Sequence, residues 1–316
     1  MKKTFIKISM ACFCAGLIFT SCSKNSDNSV TPATENQQTA GSDDTRAQNE
    51  SDAGANDAET AVSSNSSTKR VSAGGSVVAG ATIDSSNASG QKKIVITYDG
   101  SSNIGGRTRS GSITVQLTSG THWSDQGAVM TLTYYNYKAT RTSDNKSIII
   151  NGSETIRNTS GGLISTMTIA DSRTRSIRSS NLSITFDNGT QRTWSVAKKR
   201  TITTQVGGTY TIKTMGDTIV SGHGDASHHV SAWGTTRFGT QFYTIITDSD
   251  PITWNTANCV TAPTSGTISV EGLANTLTVN YGVDSNGNPV TTATCSYGIK
   301  LSWTVTGVTQ TAVVVY

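Results

Sequence analysis

The stretch "LSITFDNGTQRTWSV", residues 182–196, contains two runs in which apolar and polar residues alternate. That period is typical of a half-buried β-strand, because successive side chains of a strand point to opposite faces. Asn188 and Gly189 stand between the two runs. An Asn-Gly pair in this position is the strongest short hairpin signal in the chain. The stretch therefore predicts two antiparallel strands joined by a tight turn.

The same alternation recurs along most of the chain after residue 70. It appears in "KKIVITYDG" (92–100), "GSITVQLTS" (111–119), "TYTIKTMGDTIVSG" (209–222), "TISVEGLANTLTVNYG" (267–282) and "GIKLSWTVTGVTQTAVVVY" (298–316). Many short strands with regularly spaced turns predict an all-β fold, an antiparallel meander that forms a sandwich or an open barrel. The segment "QVGGT" (205–209) marks a seam, if the body consists of two linked β units rather than one.

The N-terminus has a different character. Lys2, Lys3 and Lys7 accompany an apolar run from residue 8 to residue 19. A run of this length is too short to cross ~30 Å of hydrocarbon as a helix, and a basic start before it is typical of a secretory signal peptide. Residues 1–21 are therefore predicted to be a cleaved signal peptide.

The sequence Phe19-Thr20-Ser21-Cys22 resembles the lipobox of bacterial lipoproteins, in the looser form found in Bacteroidota. The resemblance implies that the Cys22 thiol is diacylated and that the new N-terminal amine is acylated after cleavage. Each buried methylene contributes ~0.8 kcal/mol, so several acyl chains would anchor the protein in the membrane, here the outer membrane. The alternative is an ordinary signal peptide with an incidental cysteine.

Residues 22–70 are rich in Ser, Thr, Asn, Asp, Gln and Ala and almost lack large apolar residues. Such a composition buries too little surface to offset the entropy of ordering, which predicts a disordered polar linker after the lipidated cysteine. This segment has a net charge of −4, whereas the β-rich body, residues 71–316, has a net charge of +5. The positive charge is too small and too scattered to favour nucleic acid as a partner.

The body contains two cysteines, Cys259 and Cys295. In an oxidising compartment, an even pair of cysteines predicts one disulfide. Two free buried thiols remain an alternative, and zinc is a weaker one because neither cysteine has a second cysteine nearby in sequence.

The segment "SGHGDASHHV", residues 221–230, concentrates the ligand types that zinc prefers. Its candidate ligands are His223, Asp225, His228 and His229. Three ligands with an open position would support a hydrolytic site, in which a metal-bound water is the nucleophile. However, His228 and His229 would point to opposite faces of a strand, and a polar turn between two strands explains the segment as well.

Basic residues also recur at the strand period. The pairs are Arg107 with Arg109, Arg173 with Arg175, and Lys198 with Arg200. If neighbouring strands align these pairs, they form a cationic patch for anionic glycans or lipid phosphates. The alternative is that they are solvated faces or guards of the sheet edges.

Several motifs resemble those of a group of uncharacterised β-rich Bacteroidota lipoproteins. They are "GRTRSG" (106–111) before a strand, and a C-terminal unit with two cysteines, "PTSG" (263–266) and Tyr281-Gly282. The resemblance spans most of residues 92–297. It implies a β-rich fold and an envelope location, and it brings no activity or ligand.

The body offers little for catalysis. It has only two glutamates, Glu154 and Glu271, and it lacks a Gly-x-Ser-x-Gly elbow, a phosphate-binding loop and a dinucleotide fingerprint. We therefore expect a lipid-anchored, non-catalytic envelope protein without a cofactor, in a structural role or binding a glycan, a lipid or another envelope protein. The alternatives are a zinc-dependent hydrolase built on the histidine segment and a surface adhesin with Thr/Ser-rich strands.

Overall fold

The computed structural model describes residues 32–66, 78–89, 92–259, 261–290 and 294–316. Within these residues it contains one long helix, α1 (Pro32–Ser66), and fifteen β-strands. The strands are β1 (Ala81–Asp84), β2 (Lys93–Asp99), β3 (Arg107–Ser119), β4 (Val129–Arg141), β5 (Ser147–Asn158), β6 (Ser172–Phe186), β7 (Gln191–Thr204), β8 (Tyr210–Gly216), β9 (His228–Thr235), β10 (Gln241–Thr247), β11 (Ile252–Asn255), β12 (Thr267–Glu271), β13 (Leu277–Val283), β14 (Gly298–Val305) and β15 (Val308–Val315).

All strands belong to one open antiparallel sheet. Its order is β1 to β7, then β9, β10 and β12 to β15, while β8 pairs with β7 and with β11 beside this path. Strands that follow each other in sequence are thus mostly neighbours in the sheet, which confirms the predicted all-β meander. The seam expected at 205–209 is a short 3-10 turn, Val206–Gly208. The strands on either side of it, β7 and β8, pair with each other.

The predicted hairpin at residues 182–196 is formed by β6 and β7. Thr185 lies opposite Gln191, and the Phe186 amide donates to the Thr190 carbonyl at 2.9 Å. Gly189 has a φ of 79°, a backbone conformation that glycine adopts without steric cost. Alternate residues of β7 from Arg192 to Thr204 are buried, so one face of this strand lies against the interior.

Helix α1 occupies the concave side of the sheet. Between Gln37 and Ser64, Thr60 alone is exposed. The helix contacts β2, β3, β4 and β5 near one end of the sheet and β13 and β14 near the other. Because strands from both ends pack against the same helix, the sheet curls around it, as in the open-barrel alternative. None of the described helices has the length and apolar character that spanning a bilayer requires.

Small helix residues permit this close packing. A Cβ atom added at Gly41 would lie 2.5 Å from Leu277 Cδ2, and one added at Gly54 would lie 3.0 Å from Ile113 Cδ1. Four buried alanines of the helix belong to the apolar core of the sheet: Ala47, Ala55, Ala58 and Ala61. The helix and the strands thus form one packed body.

The prediction of a disordered linker is wrong for Pro32–Ser66, which is helical and, apart from the exposed Thr60, buried or half-buried between Gln37 and Ser64. The polar composition of this segment led to the wrong prediction, because a helix can be buried without large apolar residues. Here carboxylates of the helix are buried with charged partners from the sheet, which compensate for their loss of water. The predicted signal peptide (1–21), the lipidated Cys22 and the predicted boundary near residue 70 lie outside the described residues.

Candidate functional site

The wall of the sheet formed by β6 and β7 presents four buried cationic side chains to the interior. Three of them form ion pairs with carboxylates of α1. The pairs are Arg192 with Asp44 at 3.1 Å, Lys198 with Asp52 at 3.2 Å, and Arg175 with Glu59 at 2.7 Å. The fourth cation, Arg200, forms no ion pair with any described residue.

The helix carboxylates recur at intervals of seven residues, in the sets Asp43, Glu50, Asp57 and Asp52, Glu59. Seven residues correspond to nearly two full turns, so each set stays on one side of the helix. Glu50 and Asp52 are about 200° apart around the axis and therefore lie on opposite sides. A helix with acidic residues on opposite sides is suited to an interior lined by cations on more than one wall.

On the β3 side, Glu50 is the acceptor for two arginines. Arg107 and Arg109 both form ion pairs with its carboxylate, and the Tyr137 hydroxyl donates to it at 3.2 Å. Burial alone would raise the pKa of Glu50, but Arg107 and Arg109 outweigh burial and hold the pKa below its usual value. Glu50 is therefore a buried, ionised group that depends on its two cations.

Asp43 and Asp57 lie near the two ends of the same side of the helix. Arg237, in the turn between β9 and β10, binds Asp43 through two nitrogens at 2.6 and 2.7 Å. Tyr98 on β2 donates its hydroxyl proton to Asp57 at 2.7 Å. Burial raises the pKa of Asp57, and the hydrogen bond from Tyr98 only partly opposes it.

One carboxyl group of the sheet also points into the interior. Glu154 on β5 accepts hydrogen bonds from the Tyr134 hydroxyl at 2.7 Å and the Ser51 hydroxyl at 3.0 Å. Burial raises the pKa of Glu154 to about 7, although these bonds and the charge of Lys198 oppose the shift. Glu154 thus exchanges its proton near neutral pH inside the molecule.

The basic residues predicted to form an anion or glycan site line the interior or lie beside it. Arg107, Arg109, Arg175 and Lys198 bind carboxylates of α1. Arg173 is half-buried, and its Nη1 donates to the Ser172 carbonyl. The strand period correctly placed each pair on one face, but for four of the six residues the anionic partner belongs to the same chain.

Arg200 lines a cavity of about 450 Å³ near the C-terminal end of α1. Its other walls combine helix residues, including Glu59, with an apolar surface of Ile164, Ile202, Tyr210 and Ile212. Arg200 is 4% exposed, and its Nε and Nη2 atoms have no hydrogen-bond partner among the described residues. A buried cation beside an apolar wall can bind an anion that also has an apolar part.

The histidine segment does not assemble the predicted metal centre. Each histidine has its own carboxylate: His223 with Glu271 at 2.8 Å, His228 with Asp225 at 2.9 Å, and His229 with Asp248 at 3.0 Å. In the part of the chain that the structure describes, no three potential ligands from His, Cys, Asp and Glu come together. The physical reason is that β9 begins at His228, so His228 and His229 point to opposite faces.

Local contacts explain the histidine segment as a surface turn. The Ser227 amide and the His228 side chain donate to Asp225, and these bonds hold the pKa of Asp225 well below its usual value. The His223 ring stacks on Tyr243 with 3.7 Å between ring centroids. These contacts favour the alternative of a polar turn between strands.

Cys259 and Cys295 form a disulfide, as predicted, with Cα atoms 4.7 Å apart. This excludes the alternatives of two free thiols and of zinc at these cysteines. The loop that follows Cys259 carries Thr261, whose carbonyl accepts a hydrogen bond from Arg107 Nη2 at 3.3 Å. The disulfide therefore lies beside one of the cations that bind α1.

Sequence reasoning missed the helix, which is the main partner of the predicted cationic residues. The seven-residue recurrence of Asp and Glu within residues 43–59 was the available signal, since it fits a helical face and no strand. Comparison with known proteins finds no matching protein family, curated protein or solved structure.

Proposed function

We propose that the protein is a lipid-anchored, non-catalytic component of the bacterial outer membrane, with a binding or structural role. The basic and apolar leader and the lipobox-like sequence before Cys22 support the anchor. The resemblance to β-rich Bacteroidota lipoproteins supports the same location. The observation that carries the proposal for the body is the buried acidic helix, whose carboxylates neutralise most of the cations of the interior.

This arrangement makes α1 part of the body rather than a spacer. Nine residues separate Cys22 from Pro32, so the connection reaches at most roughly 35 Å when fully extended. In the proposed lipoprotein, the N-terminal end of α1 therefore lies nearest the membrane. Glu59, 27 residues after Pro32, lies roughly 40 Å further along the helix axis, so the Arg200 cavity is at the far end.

The pairing of the ionisable residues supports a non-catalytic role. Glu154 is buried and hydrogen-bonded to Tyr134 and Ser51, and the Glu271 carboxylate is hydrogen-bonded to the His223 ring at 2.8 Å. A general acid or base must reach its substrate within hydrogen-bond distance. The contacts of these two glutamates favour structural roles.

Metabolic labelling with a radioactive fatty acid tests the anchor. We expect label in the full-length protein and none in the Cys22→Ala variant. Cys14→Ala is the matched control, because it removes a thiol from the predicted signal peptide, and it should keep the label. Equal labelling of the Cys22→Ala variant and the parent would overturn the proposed anchor.

Zinc uptake tests the non-catalytic role against the hydrolase alternative. After treatment with a chelator and dialysis against zinc, the parent protein should retain no stoichiometric zinc. Retention of one zinc per chain that is lost in the His223→Ala variant would contradict the proposal and favour a metal-dependent hydrolase.

A further inference from the structure

The four buried cations of β6 and β7 differ in whether they have a carboxylate partner. Arg175, Arg192 and Lys198 each have a helix carboxylate within 3.2 Å. Arg200, at 4% exposure, has no carboxylate partner among the described residues. An ionised group in a dry interior is costly unless a counter-charge compensates it. The interior thus supplies an anion to three of these cations and leaves the fourth to another source.

The neighbours of Arg200 increase its need for an anion. Arg175 lies directly opposite Arg200 in the pairing of β6 with β7, and like charges in that position repel each other. Glu59 neutralises Arg175 through Oε1. On the other side, Thr214 lies opposite Arg200 on β8, and its buried hydroxyl has no partner among the described residues.

The free atoms of Arg200 have the geometry that an oxyanion requires. Nε and Nη2 lie on the same edge of the planar guanidinium, and their two N–H bonds point in parallel toward one side. A carboxylate accepts both in the two-pronged arrangement that gives arginine its preference for such groups. Both atoms are enclosed by protein in the unliganded chain, so the Arg200 side chain must turn this edge toward the cavity that it lines before a carboxylate can bind there.

The cavity beside Arg200 suits a ligand with a larger apolar part. Its volume of about 450 Å³ falls within the range of small-molecule sites, roughly 300–1,000 Å³. Ile164, Ile202, Tyr210 and Ile212 provide apolar walls. The second oxygen of Glu59, Oε2, is buried without a partner among the described residues, which disfavours a second negative charge on the ligand.

We propose that this cavity binds a small amphipathic carboxylate, a monoanion whose headgroup is held by Arg200 and whose apolar part lies against the isoleucines and Tyr210. The proposal gives the binding role of the proposed function a site and a ligand class. It does not depend on the lipid anchor, so its failure is distinguishable from a failure of the labelling experiment.

Isothermal titration calorimetry with octanoate tests the site, on the chain from Ser23 to Tyr316, which keeps every described residue. Octanoate should bind with a stoichiometry of about one, because the structure offers one such cavity around Arg200. The Arg200→Gln variant should bind octanoate about 10- to 100-fold more weakly, which is the effect expected for losing hydrogen bonds from a charged donor. 1-Octanol, which has the same chain without the charge, should bind the parent no better than octanoate binds the variant.

Two further variants separate binding from folding. Lys213→Gln removes a cation from the exposed face of the neighbouring strand β8 and should leave octanoate affinity unchanged. Thr60→Trp keeps Arg200 but places a large side chain at the cavity wall, and it should weaken octanoate binding. The midpoint of thermal unfolding of the Arg200→Gln variant should be no lower than that of the parent, because Arg200 has no ion pair to lose.

Three results would overturn the proposal. They are an absence of octanoate binding to the parent, equal affinity for octanoate and 1-octanol, and an unchanged affinity for octanoate in a folded Arg200→Gln protein.

Discussion

Acidic and basic side chains pair both in the interior of the sheet and in the histidine turn. The interior pairs are buried, whereas the pairs of the turn are exposed to water. The side chains of Arg192 and Asp44 are each 1% exposed, whereas those of His228 and Asp225 are 48% and 63% exposed. Water can replace a lost partner at the turn but not in the interior. Pairs of similar length, 3.1 and 2.9 Å, should therefore differ greatly in their effect on stability.

The buried ion pairs contribute more to the arrangement of the interior than to its net stability. A buried ion pair adds little net stability relative to a well-packed apolar pair, but it strongly disfavours any arrangement that leaves one partner alone. We therefore expect the interior pairs to fix the rotation and the axial position of α1, whose own side chains are mostly polar. The exposed histidine pairs do not hold a helix in position in this way.

The largest expected effect comes from breaking an interior pair. Asp44→Ala leaves the Arg192 guanidinium buried without its carboxylate and removes the acceptor of the Thr244 hydroxyl, which lies 2.8 Å away. The free energy of unfolding should fall by about 3–5 kcal/mol. Urea denaturation measures it, with Asp225→Ala at the turn as the matched control. Equal losses in the two variants would contradict the comparison.

Removal of the disulfide should have the next largest effect. The Cys259→Ala/Cys295→Ala variant lacks a link that closes a loop with a sequence separation of 36. The chain-entropy relation gives a loss of about 3.5–4 kcal/mol in the free energy of unfolding. Denaturation of the parent with and without a reducing agent provides the control. An unchanged midpoint in both experiments would mean that the ion pairs alone hold this part of the interior.

The pH dependence of Glu154 should give a somewhat smaller effect. The pKa of this carboxyl is about 7 in the folded protein against an ordinary value of 4.5, so the folded state holds the extra proton between these values. The contribution of Glu154 to stability therefore falls as pH rises from about 4.5 to 7. Glu154→Gln removes this loss, and the variant should gain up to about 3 kcal/mol relative to the parent by pH 8.

Chemical denaturation at a series of pH values measures that gain. Glu271→Gln, the matched change at the half-exposed glutamate of the body, serves as the control. A difference between the Glu154→Gln variant and the parent that stays constant from pH 5 to pH 8 would contradict the assignment of a buried, neutral carboxyl group.

The smallest effect is expected at the histidine turn. His229→Ala breaks the 3.0 Å contact with Asp248, but both side chains remain accessible to water, at 26% and 44% exposure. The free energy of unfolding should be unchanged within error, because a contact between exposed side chains contributes little, whether or not the histidine is charged. A loss as large as that of Asp44→Ala would show that burial is not what separates the two regions.

The features that could be predicted from the sequence are those with local causes. The hairpin at Asn188-Gly189 and the alternation of β7 depend on residues a few positions apart, and both are found. The disulfide followed from the count of cysteines and the expected compartment. Such features need no knowledge of how distant segments meet.

The helix could not be predicted in the same way because its partners are far away in sequence. Asp44 and Arg192 are 148 residues apart, and Asp52 and Lys198 are 146 apart. The metal centre predicted in the histidine segment was wrong for a related reason: residues that are close in sequence need not come together in space. Glu271, the partner of His223, comes from β12, a strand 48 residues further along the chain.

Hydrogen–deuterium exchange of the segment from Asp43 to Glu59 tests the central claim most directly. If α1 is enclosed by the sheet and held by its carboxylates, these amides should exchange as slowly as those of β6 and β7, and Asp44→Ala should speed their exchange. Exchange at the rate of an unstructured peptide in the parent protein would contradict the account.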